Sequence, residues 1–297
     1  MKSIYIICDL EPDTSKDWRP DYKLGNKVRF NNINLVIPIF EKYRKYGLKI
    51  NFGMRFDEQF DILTLDAVMF HKNNKNIYDK LISYGDGFIL HIHQYRYNTQ
   101  TQKWEYLLND LAENNIVNSI KKFNDFFNYS PKSVIFSNPI DTDINSIRVL
   151  KNAHIKMNFV EKSTRLFCQN CDNIPKNLKP HDKLHNIPYF PDKDNLYNES
   201  SLCNDEDLII VPMNTISNKQ SNISNLTNDN FIKLFHNLYI NNLPMIFVMA
   251  TESITNKCLI NNLDFIVNSE LFKNNHIKFD ILPYNIDDIN NYYNSFR

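Results

Sequence analysis

Glycine is scarce, with 5 in 297 residues. No G-x-G-x-x-G follows an apolar run and no G-x-x-x-x-G-K occurs, which excludes a dinucleotide fold and a glycine-rich phosphate cradle. Net charge is also absent: 34 basic side chains balance 34 acidic ones. That argues against a general nucleic-acid or membrane-surface binder. No apolar run approaches the roughly 18 residues that span a bilayer. The opening MKSIYIICDLEPD has one lysine and a short apolar run ending in acids, unlike a secretory signal. The expectation is a soluble cytoplasmic protein. Cysteine is sparse and odd in number, at 5, so no disulfide framework is expected.

What is present is apolar and asparagine-rich. Hydrophobic residues make up 42% and aromatics 13%, enough to bury a large core and exclude wholesale disorder. With glycine so rare, asparagine is expected at caps and turns, since it tolerates the left-handed region. Cys168 and Cys171 form a C-x-x-C pair near His181 and His185. A zinc knuckle needs four such ligands, and reduced thiols in a loop are the favoured reading.

Short apolar runs alternate with helix-period runs. Strands are expected at 5–9, 48–54, 87–93, 133–137, 155–160, 208–213, 244–250 and 277–282. Helices are expected at 32–46, 77–84, 108–127, 144–153, 228–239, 261–271 and 286–293. Such alternation implies parallel strands with crossover helices. With seven or eight strands, a single (β/α) barrel over 1–297 is the economical solution, and an open doubly wound sheet is the runner-up. Residues 164–207 break the alternation and read as a long insertion with room for a short hairpin.

In a parallel barrel the chemistry sits at the C-terminal strand ends. Two ends carry unusual groups. The first reads Asp9-Leu10-Glu11-Pro12-Asp13. Alternation puts Asp9 and Glu11 on one side, and paired carboxylates are costly without a cation or a shared proton. The second reads His91-Ile92-His93-Gln94-Tyr95-Arg96. Two imidazoles at this spacing point the same way and can chelate one metal, with a carboxylate from a neighbouring strand completing the set. Each feature also has a plain alternative, a solvated loop for the acids and hydrogen-bonded core histidines for the pair.

Residues 7–13, 47–52 and 85–93, with Ile277-Lys278-Phe279-Asp280 and the run 286–293, resemble the polysaccharide deacetylase superfamily. The likeness is to a divergent branch, of carbohydrate esterase type, whose first strand ends in Asp-x-Glu-x-Asp. It implies a seven-stranded, often incomplete barrel that binds a divalent metal, zinc before cobalt or nickel. It also implies metal-assisted removal of an acyl group from an N-acyl sugar. By position, Asp9 matches the base or first ligand, Glu11 or Asp13 the companion carboxylate, and His91 the first histidine ligand. The family's second histidine falls at Tyr95, so His93 has to substitute. Ser137-Asn138 stands where the family has an orienting arginine. Ala250-Thr251-Glu252 stands where it has an acid histidine, which leaves Glu252 as candidate acid. Trp18, Arg55, Tyr95, Arg96 and Asn138 are the candidate substrate contacts. For a cytoplasmic protein the implied substrate is a nucleotide- or lipid-linked precursor of a surface glycan. The competing reading is a catalytically degenerate barrel that binds a glycan or supports a partner enzyme.

Overall fold

The computed structural model describes residues 1–11, 31–137, 141–161, 184–200, 208–213, 222–251, 257–283 and 285–297. Several strands are buried along their whole length: β2 (Asn51–Arg55), β3 (Gly87–Ile92), β6 (Ser133–Phe136) and β8 (Ile209–Met213). Strands covered on both faces read as continuous apolar runs, the mark of a parallel sheet sheathed in helices. With β1 (Lys2–Asp9), β7 (Met157–Glu161) and β9 (Met245–Ala250), they form seven parallel strands in the order β9-β1-β2-β3-β6-β7-β8. The sheet curls into a half-barrel, so the barrel expectation holds in its incomplete form and the flat, doubly wound sheet does not.

Three strands share β1. β9 takes one edge along Ile4–Asp9, while β2 takes Ile7–Asp9 on the other. The short β10 (Ile277–Phe279) pairs below β2, against Lys2–Ile4. Asn51 fills the seam between β10 and β2. Its amide donates to Ile6 O at 3.3 Å and its side-chain oxygen accepts from Leu282 N at 2.8 Å. Because buried backbone groups must be paired, this fully buried side chain stands in for the missing rungs.

The two faces of the curled sheet bury separate cores. Even-numbered residues of β1 (Ile4, Ile6, Cys8) pack outward against Val36 and Phe40 of α1 (Asn32–Arg44) and the other surrounding helices. Odd-numbered residues (Tyr5, Ile7) face the lumen with Ile89, Ile135, Phe159, Val211 and Val248. Ile289 and Tyr292 of α10 (Ile286–Asn294) join that lumen core, and the Tyr292 ring meets Tyr5 edge-on at 5.6 Å. The free edges are blunted, as open sheets require. Tyr189 pairs antiparallel with Ile210 on β8, and Asn222 bridges to Val248 on β9.

The sequence expectation needs correcting in two places. Between β2 and β3 it gives one helix at 77–84. The chain instead forms α2 (Glu58–Thr64), α3 (Ala67–Asn73) and α4 (Lys75–Ser83), the first two capped by Asp57 and Asp66. After β3 it gives a loop, where an antiparallel hairpin forms from β4 (Tyr95–Asn98) and β5 (Lys103–Tyr106). The hairpin buries Tyr95, Trp104 and Tyr106 against Leu63 of α2, then leads into α5 (Asp110–Phe127). In the insertion, Pro191 bridges antiparallel to Glu199, while Cys168, Cys171 and His181 lie outside the described residues. His185 Nε2 donates to Tyr197 O at 3.1 Å and its ring lies 4.4 Å from Tyr189. No helix among the described residues is long and apolar enough to cross a membrane.

Candidate metal centre

The lumen turns from apolar to charged at the C-terminal ends of β1, β2 and β3. Register sets Asp9 beside Gly53, and Arg55 beside His91. Asp9 Oδ1 lies 3.4 Å from His91 Nδ1. Glu11 Oε1 lies 3.7 Å from the same nitrogen and 3.0 Å from His93 Nε2. The two imidazole rings are 4.8 Å apart. Gly53 makes this convergence possible: a Cβ there would stand 2.6 Å from Asp9 Oδ1 and 3.2 Å from His91 Cβ. A β-carbon on the middle strand would fill the space where the carboxylate and the imidazole meet.

Each of these groups is held from behind. The Glu11 backbone is clasped by Thr251 at the top of β9: Glu11 N donates to Thr251 Oγ1 at 3.0 Å, and that hydroxyl donates to Glu11 O at 2.8 Å. Arg55 Nη1 donates to Glu11 Oε2 at 2.8 Å. The rest of the guanidinium is taken by Asp57, at 2.9 and 2.7 Å, and by Gln59 at 2.8 Å. Asp57 also caps α2 through Phe60 N at 3.1 Å. The His93 carbonyl accepts from Asn115 Nδ2 of α5 at 2.9 Å.

Electrostatics follow from this packing. Burial pushes the Glu11 carboxyl up, but the Arg55 guanidinium, with the neighbouring His93, more than reverses it and holds it well below the usual range. At Asp57 the same opposition of burial and the Arg55 guanidinium leaves the carboxyl lowered. Burial, then the neighbouring His93, lowers His91 to about 3, so its ring is neutral at physiological pH. Both ring nitrogens of His91 are buried without a hydrogen bond among the described residues. Buried polar atoms are normally satisfied, so this imidazole is set up to receive something.

A divalent cation fits. Glu11, His91 and His93 each offer one ligand atom, all within 4.8 Å of one another. Donors arranged tetrahedrally at 2.0–2.2 Å from a zinc-sized ion stand about 3.4 Å apart, between the 3.0 and 3.7 Å that separate Glu11 Oε1 from His93 Nε2 and His91 Nδ1. Arg55 pairs with Glu11 and Asp57, while Asp9 adds a third carboxylate beside His91, an excess of negative charge that a doubly charged ion would neutralise. Neutral imidazole with carboxylate is a donor set for a first-row divalent metal.

Four of the expected site residues, Asp9, Glu11, His91 and His93, thus come together. Asp13, Trp18, Asn138 and Glu252 lie outside the described residues. Arg55 is not presented to a substrate: it is 1% exposed and bound to Asp57, Glu11 and Gln59. Tyr95, at the family's second-histidine position, is buried in the hairpin cluster with its ring 6.3 Å from His93. Arg96 is half-buried on the hairpin and pairs with Glu105 at 3.1 Å. Sequence reasoning missed Gly53, Asp57, Gln59, Asn115 and Thr251. Of these only Asp57 carries a readable signal, an aspartate opening a helix.

No family model matches the chain, and no curated protein matches it. Among solved structures, one from Mycobacterium smegmatis described as a polysaccharide deacetylase superposes with a TM-score of 0.54 over 93% of this chain and 85% of that one, at 8% identity. The chain has the fold of a polysaccharide deacetylase. A family 4 carbohydrate esterase from Streptomyces lividans, in complex with acetate, gives 0.44 at 9% identity, over 95% and 93% of the two chains. A GH57-type branching enzyme from the archaeon Pyrococcus horikoshii gives 0.45 at 12% identity, over 95% and 69%. The likeness to the deacetylase is one of fold, and in that deacetylase-like frame the converging groups occupy the C-terminal strand ends, where barrel enzymes keep their chemistry.

Proposed function

We propose that this chain is a metal-dependent hydrolase that removes an acyl group from an N-acyl sugar. The observation that carries the reading is the convergence of Glu11, His91 and His93 on one point, with both His91 nitrogens unanswered by the described protein. A divalent ion held by these three groups supplies Lewis acidity at the acyl carbonyl and acidifies water. Zinc is the preferred ion, with cobalt or nickel as working substitutes.

Asp9 then serves as base. Its carboxylate stands beside the ligand set, with Oδ1 3.4 Å from His91 Nδ1, placed to take the proton of the attacking water. Glu11 is a ligand, because Arg55 fixes its orientation and keeps it anionic. Glu252 follows Thr251 at the head of β9 and is the proposed acid for the leaving amine; Asp13 is the alternative ligand. Trp18, Arg96 and Asn138 are the proposed sugar contacts. The proposed substrate is a nucleotide- or lipid-linked precursor of a surface glycan.

A second reading, a degenerate barrel that binds a glycan without hydrolysing it, is favoured by Thr251. Its hydroxyl is fully engaged with the Glu11 backbone at the strand end where the related enzymes are expected to carry an acid histidine. Elemental analysis of the purified protein beside a His91→Ala, His93→Ala variant tests the centre. Near-stoichiometric divalent metal that the variant lacks is expected. Acetate release from N-acetyl sugar nucleotides by the loaded protein then supports hydrolysis, and its absence favours the binder. A native protein that holds no metal and takes up neither zinc, cobalt nor nickel ends both the hydrolase mechanism and the metal centre.

A further inference from the structure

The two carboxylate oxygens of Glu11 face in different directions. Oε1 looks toward the imidazoles, 3.0 Å from His93 Nε2 and 3.7 Å from His91 Nδ1. Oε2 accepts from Arg55 Nη1 at 2.8 Å. Neither partner can rearrange cheaply. Arg55 is locked in a bidentate pair with Asp57, which itself caps α2, and its own carbonyl is held by His71 Nε2 at 2.8 Å. On the other side, Thr251 pins the Glu11 backbone.

We propose that Arg55 is the positioning residue that sets metal choice at this centre, by withholding one oxygen of Glu11 and making it a one-oxygen ligand. The proposal rests on the metal-centre reading above and deepens it. Calcium takes 6–8 oxygens, often both oxygens of one carboxylate. Zinc and cobalt are content with single donors in a set of about four. A carboxylate with one oxygen committed to a rigid guanidinium suits the second kind of ion and handicaps the first. Lysine cannot replace arginine here. The planar fork reaches Glu11, Asp57 and Gln59 at once, whereas an ammonium is a point charge on a flexible stem. The guanidinium comes from β2, the strand beside both the carboxylates and the histidines, so its placement depends on the same register that brings the ligands together.

The test compares the full-length wild type with Arg55→Lys and with an Arg55→Met, Asp57→Asn double variant. The second change avoids stranding the Asp57 carboxylate in the interior. Metal-free proteins are titrated calorimetrically with cobalt, zinc and calcium, visible spectra are recorded of the cobalt forms, and circular dichroism melts monitor folding. Wild type is expected to bind cobalt with the intense visible bands of a four- or five-coordinate ion and to ignore calcium. The double variant should lose about 10–100-fold in cobalt affinity, as loss of a ligand's supporting partner typically does, with weaker bands and a narrowed zinc-over-calcium preference. Arg55→Lys, which keeps the charge, should shift the cobalt spectrum without restoring it, and it carries the test if the double variant fails to fold. Wild-type spectrum and metal preference in a folded variant overturn the role of Arg55 and leave the centre standing. Failure of wild type to bind cobalt or zinc overturns the centre, and the role of Arg55 with it.

Discussion

Two buried histidines on neighbouring parts of the fold make opposite use of the same burial. His71 of α3 and His91 of β3 are 0% and 3% exposed, and burial drives both rings toward neutrality, to about 4 and about 3. His71 is answered on both sides. Its Nε2–H donates to Arg55 O at 2.8 Å, which fixes the tautomer, so Nδ1 accepts from Tyr78 OH at 2.7 Å. Phe60 stacks on its face at 5.2 Å. His91 has neither bond among the described residues. A buried imidazole is therefore not a mark of function. What distinguishes the candidate site is that the fold buries polar atoms there and leaves them unanswered.

The contrast breaks most plainly on removing each ring. His71→Leu orphans the Tyr78 hydroxyl and the Arg55 carbonyl, and at roughly 1–3 kcal/mol for each buried group this should cost about 2–6 kcal/mol of stability. Urea melts of the metal-free protein read it. A cost below about 1 kcal/mol would mean that His71 is not the structural histidine described.

Acid should act next most strongly. The folded protein keeps His71 neutral down to about 4, whereas the unfolded ring titrates near 6.5. The unfolded chain therefore binds more protons in that window. Stability is full above about pH 6.5 and falls as pH drops toward 4, by on the order of 3 kcal/mol from this ring alone. Melts at pH 7, 5.5 and 4.5 should show that slope in wild type and a shallower one in His71→Leu.

A smaller effect, of reversed sign, is expected at His91. His91→Leu replaces unsatisfied polar atoms by apolar ones, so the metal-free protein should gain about 1–2 kcal/mol while metal binding is lost. A destabilised variant would mean that His91 is satisfied after all. Gly53→Ala should move stability least. The new Cβ displaces the end of the Asp9 side chain and crowds His91 Cβ by a few tenths of an ångström, so the melt should fall only slightly while metal affinity falls about tenfold, as for a displaced supporting group. Unchanged affinity would show that Gly53 does not shape the centre.

Much of this was legible because period carries it. The strands read from apolar runs, the long helices from their stripes, and the His91–His93 and Asp9–Glu11 pairs from simple alternation along a strand. The hairpin was hidden by its turn, where Gln102 takes φ 55 in place of a glycine or asparagine, and a single asparagine, Asn98, marks the turn by accepting from Gln100 N and Thr101 N. Leu65 and His154 hold positive φ just as silently, while Asn109, Asn128, Asn242 and Asn275 follow the expected substitution of asparagine for glycine. Arg55 was misplaced for a different reason. An arginine near an active face reads as a substrate contact until its counter-ions are known, and Glu11 is 44 positions away in sequence. Thr251 was equally silent, 240 positions from the backbone it clasps.

The sharing of β1 by three partners also orders the chain in time. The strand is made before its partners, so one of its edges waits for β9, beginning at Met245, and its foot waits for β10, beginning at Ile277. Contacts so distant in sequence form slowly, because the loop must close before the pairing rewards it. Until then Ile4, Ile6, Ile7 and Cys8 line a bare strand edge of the kind that recruits other chains. Asp9 and Glu11 stand at its tip without the Thr251 clasp. The pairing that covers this edge also brings the Thr251 clasp to the Glu11 backbone, so protection from misassociation and completion of the proposed metal centre depend on the same late contact.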